Sequence, residues 1–159
     1  MRGLVLLSLL LVVSTTSFAL NQSGELKGIK TVHAVVFDLS DDLVRDGVQE
    51  ERIRTTLEAG LTAAGLNVLA QDQYDDTAPT ITVRVSAIRE PSRRFYAIDI
   101  VLACVDNVSN SRIVGPFSAA IWSNDVLELL GKVDLSRVVE GEKKLVDLFL
   151  KDYLEANPQ

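Results

Sequence analysis

Cysteine is nearly missing from this chain, with Cys104 the single example in 159 residues. One thiol supports neither an intrachain disulfide framework nor a cysteine-based zinc cage. In an oxidising compartment it can stay buried, remain free or pair between chains, and its place in a strand-like run favours burial. Histidine is as scarce: His33 is the one side chain whose ordinary pKa suits a base at neutral pH. It shares a strand face with Val35 and Phe37, and no Ser or Cys stands in a nucleophile-elbow or papain-like context, so no catalytic triad is expected. Basic charge is short too, with 16 Lys and Arg against 22 Asp and Glu, a formal net charge of −6. Neutralising phosphate needs clustered cations, so nucleic acid is not an expected partner. No Gly-rich phosphate loop occurs, no apolar run reaches the roughly 20 residues of a spanning helix, and nothing implies a cofactor.

What the chain does have is apolar content. At 47% hydrophobic residues it is too rich for a disordered polymer, and its length suits one domain with a real core. Its first residues carry an address. Arg2 gives a positive start, Leu4 to Val13 is apolar, and Ser17-Phe18-Ala19 sets small residues where a signal peptidase reads, predicting cleavage after Ala19. The expected organisation is therefore a signal peptide over 1–19 and a single domain over 20–159, exported to the periplasm or secreted. No cysteine follows the apolar run, so no lipid anchor is expected.

Residues 20–28 read as a loose polar arm. Thr31 to Leu39 is β-branched, aromatic and short, a first strand, and an acidic turn-rich connection follows it. From Gln49 to Ala64 the period turns helical, with Ile53, Leu57, Leu61 and Ala64 on one stripe and Gly65 placed as a C-terminal cap. Leu66 to Leu69 adds a short strand. Thr80 to Ile88 alternates, Phe95 to Val105 is another strand, and Ile113 to Ser123 a third of this group. Asn124 to Leu135 reads as a fraying strand and loop, and Ser136 to Ala156 as a closing helix stopped by Asn157-Pro158. The predicted fold is α+β: a two-layer sandwich of a mainly antiparallel four- to five-stranded sheet with two helices on one face, in the order β-α-β-β-β-α.

Register can be argued as well. Two apolar faces directed to one core require odd sums of paired residue numbers. The pairing that sets Val85 opposite Ile98 and Val83 opposite Ile100 also places Arg84 across from Asp99. In the next hairpin the same logic turns Phe117, Ala119 and Ile121 inward and leaves Ala120 and Trp122 outward.

Candidate sites are few. Asp38, Asp41, Asp42 and Asp46 lack the alternating spacing of a calcium loop and read as turn formers before a helix N-terminus. Asp72, Asp75 and Asp76 read as a solvated loop. Arg89, Arg93 and Arg94 form a small basic hairpin tip, and Asn21 and Asn107 head glycosylation sequons that matter only in a eukaryote. One feature resists a bland account. Phe95, Val101, Val105 and Trp122 would cluster on the outer sheet face among Ala97, Ala103 and Ala120, unusually apolar for exposure. Either the N-terminal arm or residues 124–135 cover it, or it is a contact surface for a partner or a second copy.

The segments Ala119-Ala120-Ile121-Trp122-Ser123, Lys144 to Phe149, Asp152-Tyr153-Leu154 and Asn157-Pro158 resemble a family of short exported bacterial proteins of unknown function. Those proteins tend to show a "TWS" strand end and an "LVDxFxxxYLxxNP" closing helix. Ile121 stands where that family commonly has Thr, and Asn124 to Glu128 replace its Gly-rich stretch. The element order is similar to that of the curli-secretion lipoprotein, the N-terminal domain of TolB and the lipopolysaccharide-assembly lipoprotein. The resemblance implies a non-catalytic role in the cell envelope. Three functions follow in order. The first is an interaction or assembly module that docks on an envelope protein or self-associates through Trp122, Phe95, Val101 and Val105. The second is a carrier of an apolar or lipid ligand, and the third a hydrolase using the acidic loop.

Overall fold

The computed structural model of the chain describes residues 23–158, apart from 71, 74, 93 and 110–114. The export signal expected over 1–19 lies outside the described residues. The strands are β1 (Thr31–Leu39), β2 (Asn67–Leu69), β3 (Thr80–Arg89), β4 (Phe95–Val108) and β5 (Phe117–Gly131). The helices are α1 (Asp41–Arg45), α2 (Glu50–Ala63) and α3 (Arg137–Ala156), with 3-10 turns at Ser23–Leu26 and Lys132–Asp134. The fold is α+β, a five-stranded sheet of order β2-β1-β3-β4-β5 backed by helices. The sheet is mixed: β1 runs parallel to β2 and β3, whereas β3/β4 and β4/β5 are antiparallel. The parallel pairs follow from the crossover that α1 and α2 make between β1 and its neighbours.

Each element forms for a local reason. Ile53, Leu57 and Leu61 recur at four-residue spacing and are fully buried along α2. The helix stops at Gly65, whose φ of +86° suits a residue without Cβ. There Gly65 N–H donates to Thr62 O and Leu66 N–H to Leu61 O, and buried Leu66 completes a Schellman cap. Val138, Leu145, Val146, Phe149 and Tyr153 give α3 its inner stripe. In the sheet, Val32 and Ala34, Ile81, Val83 and Val85, and the even-numbered residues Tyr96 to Cys104 alternate into the same core.

The structure departs from the sequence reading in five places. The β3/β4 pairing is shifted by two, with Val85 opposite Ile100 and Val83 opposite Leu102. An even shift preserves the faces, so every side chain keeps its predicted side. The predicted register would leave Pro91-Ser92 as a two-residue hairpin loop. Turns of that length need positive φ at one or both central positions, and II′ and I′ both need it at the first, which proline forbids. The chain instead closes a wider tip, with Glu90 N–H donating to Phe95 O at 3.1 Å. Arg84 still reaches Asp99, now diagonally, at 3.3 Å. Second, β5 is one long strand to Gly131, where a frayed strand and a loop were expected. Third, β5 carries a bulge: Cys104 pairs with Trp122 and Val105 with Ala120, which leaves Ile121 as the extra residue. Trp122 therefore turns inward and is 2% exposed. Fourth, the acidic connection contains the one-turn α1, which buries Leu43. Fifth, the segment expected as a loose arm is fastened: Leu26 is fully buried and accepts a hydrogen bond from Asn157 Nδ2 at 3.0 Å.

Candidate interaction surface

The helices cover one face of the sheet, and the register of β3, β4 and β5 orders what stands on the other. Thr80, Val105 and Ala120 share one row, followed by Thr82, Ala103 and Ser123, and then by Arg84, Val101 and Asp125. Beyond them come Ser86, Asp99 and Leu127, and then Ile88, Ala97 and Leu129, with Phe95 opposite Gly131 at the end. The last rows are apolar and open to solvent: Ile88 is 78% exposed, Leu129 73%, Leu127 72% and Phe95 49%. Val35 and Phe37 on β1 are exposed as well. Side chains so placed expose apolar surface on neighbouring rows, the kind of surface that is often functional.

Of the residues expected on this face, Phe95, Val101 and Val105 stand there, the two valines half-buried by their neighbours. Trp122 does not. Its ring meets Phe149 edge-on at 5.2 Å between centroids, and Nε1 donates to Asp152 at 2.8 Å. The bulge at Ile121 is the cause. Ile88, Leu127 and Leu129 were missed, although alternation carries the signal: Ile88 continues the phase of Arg84 and Ser86, and Leu127 and Leu129 that of Asp125.

The acidic and basic candidates resolve into structure. Asp46 is nearly buried, accepts a hydrogen bond from the Tyr96 hydroxyl, and lies 2.9 Å from Lys132 Nζ and 3.6 Å from Arg89 Nη2. The Tyr96 hydrogen bond, followed by that of Lys132, holds the Asp46 carboxyl below its ordinary range. Desolvation first, and the Asp46 carboxylate second, push the Tyr96 phenol up. Arg89 leaves the expected basic tip to bridge Asp42 and Asp46, its guanidinium 5.6 Å from the centre of the Tyr96 ring. This ion-paired cluster locks α1 to the sheet end and leaves its carboxylates engaged by cations. Asp75 accepts from Thr77 within its own turn, and its backbone oxygen lies 2.9 Å from His33 Nε2. Cys104 is buried, and burial pushes its thiol up to about 12.

Three clefts open on the surface of the described residues. One of about 330 Å³ is bordered by Glu25, Lys27, Lys30, Asp75 and Asp106. A second of about 210 Å³ is bordered by Asp46, Gln49, Arg52, Lys132 and Ser136 with Val133 and Val139. A third of about 130 Å³ is bordered by His33, Asp75, Asp76, Asp106 and Asn107. Charged side chains border all three, and the second also carries Val48, Val133, Leu135 and Val139, short of the predominantly apolar lining that a lipid carrier needs.

No family model matches the chain, and no curated protein matches it. Among solved structures it is similar to a minor lipoprotein from Acinetobacter baumannii, at 11% identity and a TM-score of 0.30, over 80% of this chain and 92% of that one. It is also similar to an uncharacterized lipoprotein B from Nitrosomonas europaea, at 14% identity and a TM-score of 0.35, over 82% and 90% of the two chains. A likeness this distant assigns no activity. Both neighbours are bacterial lipoproteins by name, the coarse class of small envelope protein that the sequence resembles. Their being lipoproteins overturns the expectation of an envelope protein without a lipid anchor, and that exclusion is withdrawn. Among the described residues, no helix is long and apolar enough to cross a membrane.

The segments that carry the family resemblance are mutual contacts. Trp122 packs on Phe149, Phe149 stacks near Tyr153 at 6.2 Å, and the Tyr153 hydroxyl donates to Ile29 O at 3.0 Å. Those residues build the core and fasten the segment before β1 to α3, so their role here is architectural.

Proposed function

We propose that this chain is a non-catalytic protein of the bacterial cell envelope that works by docking through the outer face of its sheet. The observation that carries the reading is the solvent-open row of Ile88, Ala97 and Leu129 with Leu127 and Phe95 beside it. An exposed apolar stripe of this kind costs solubility unless something meets it. The export-like pattern of residues 1–19 supports an action outside the cytoplasm. Phe95 borders the row, Val101 stands two rows away beyond Asp99, and Val105 lies further along the same face. The carrier reading has less support, because these three clefts are bordered by charge.

A photo-crosslinking side chain placed at position 88 or 129 tests the reading in living cells, with position 148 on the exposed back of α3 as control. Discrete adducts from 88 and 129 but not from 148 are the expected result. Adducts from 148 alone, or none from the sheet face, would overturn it.

A further inference from the structure

We infer that the occupant of the outer face is a second copy of this chain, stacked sheet to sheet about a two-fold axis. The inference rests on the docking reading above and names the partner of that same surface. Its first support is charge. The chain is acidic overall, at −6, yet the outward positions of β3, β4 and β5 carry only Arg84, Asp99 and Asp125 as formal charges, with exposed Asp38 added at the β1 bulge opposite Arg84. A face so nearly neutral gives a strongly basic or acidic partner nothing to engage, and offers no cationic patch for anionic lipid.

Its second support is self-complementarity, which an isologous interface demands of a single patch. Arg84 and Asp99 stand side by side near the middle of the face, 3.3 Å apart and partly exposed. A two-fold axis passing between them brings Arg84 of each copy over Asp99 of the other, so opposite charges meet without any second charged surface. The apolar rows beyond, Ile88, Leu127 and Leu129, then lie against the partner's face.

Size is the third support. Strands about 4.8 Å apart with a rise of about 3.3 Å per residue give four long strands a face of about 20 by 33 Å, close to the roughly 800 Å² per partner of a standard interface. Stacked sheets pack about 10 Å apart with interdigitating side chains, and the small residues Ala97 and Ala103 leave room for that beside Ile88 and Leu129.

The test is light scattering of the chromatographed protein across about 1 to 100 μM, using the product of the full-length coding sequence. The expected result is a concentration-dependent shift to twice the monomer mass. Leu129→Asp and Ile88→Asp should stay monomeric and melt where the unaltered protein melts at the dilute, monomeric end of the range, which separates lost association from lost folding. Arg84→Glu should weaken association by about tenfold or more, and Arg84→Glu with Asp99→Arg should recover it, because the paired reversal restores opposite charges across the axis. A monomer mass at every concentration would overturn the second copy. So would a dimer indifferent to Leu129→Asp. Crosslinking then separates the two claims: adducts at positions 88 and 129 of a mass other than twice the chain would leave docking standing and remove the second copy, and no adduct would remove both.

Discussion

Glu142 lies on the inner stripe of α3, fully buried, and neither carboxyl oxygen meets a hydrogen-bond partner among the described residues. Burial pushes its pKa up to about 8 from an ordinary 4.5, so the folded chain holds it protonated at neutral pH. The folded state binds this proton more tightly than the unfolded one. Its contribution is therefore fully present below pH 4.5 and is lost as pH rises towards 8. Each pKa unit is worth about 1.4 kcal/mol, so the loss across that window is on the order of a few kcal/mol. Asp46 acts in the opposite sense: held below its ordinary 3.8, it stabilises above that pH and its contribution disappears as pH falls through its lowered value. Urea denaturation across pH 4 to 9 should show wild-type stability declining between about 4.5 and 8. Glu142→Met should flatten that decline and raise stability at pH 8, since a methionine fills the volume without an ionisable group. An identical pH profile for the variant would remove Glu142 as the cause.

At the scale of elements, α2 and α3 touch where Gly60 lets them. A Cβ at Gly60 would come within 2.7 Å of Val146 Cγ1, and Val146 is buried with a stiff β-branched side chain. Gly60→Ala gains about 1 kcal/mol of helix propensity but meets an overpacking cost of about 1–3 kcal/mol. We expect net destabilisation by chemical denaturation, and expect Gly60→Ala to become less costly or favourable in a Val146→Ala background, where the clash is gone. Equal effects in the two backgrounds would mean the helices part freely. The same scale shows what a sequence can disclose. Alternation assigned the faces of β3 and β4 correctly, because the period of two is a property of the residues themselves. It could not fix their register, since a slip of two leaves every face unchanged; the ring of Pro91, which bars a two-residue turn, was the legible clue. The bulge at Ile121 has no periodic signature, and one inserted residue moved Trp122 from the outer face to the core. Glu142 was hidden differently: a carboxyl amid Val138, Leu145, Val146 and Phe149 reads as a polar interruption until packing shows that no polar group of the described residues reaches it.

For the whole molecule, the decisive contacts join the two ends of the described chain. Asn157 closes α3 and reaches back across the fold, with Nδ2 donating to Leu26 O at 3.0 Å and to Tyr153 O at 2.9 Å, and Oδ1 accepting from Gly28 N–H at 2.7 Å. Leu26 sits in the core beneath this clasp, so the segment before β1 shuts one end of the helical layer. Among the described residues the helices cover one sheet face and no element covers the other, and on the proposed reading this asymmetry confines docking to one side. Removing the clasp should loosen the sealed side without touching the open one. Asn157→Ala forfeits these hydrogen bonds at about 1 kcal/mol each, an expected loss of about 2–3 kcal/mol. Limited trypsin digestion should then cut first at Lys27 and Lys30, while association through Leu129 keeps its wild-type strength once both proteins are folded. If digestion of the variant began elsewhere, the clasp would not be what holds residues 23–30. If association fell together with the clasp, the two faces would not be independent.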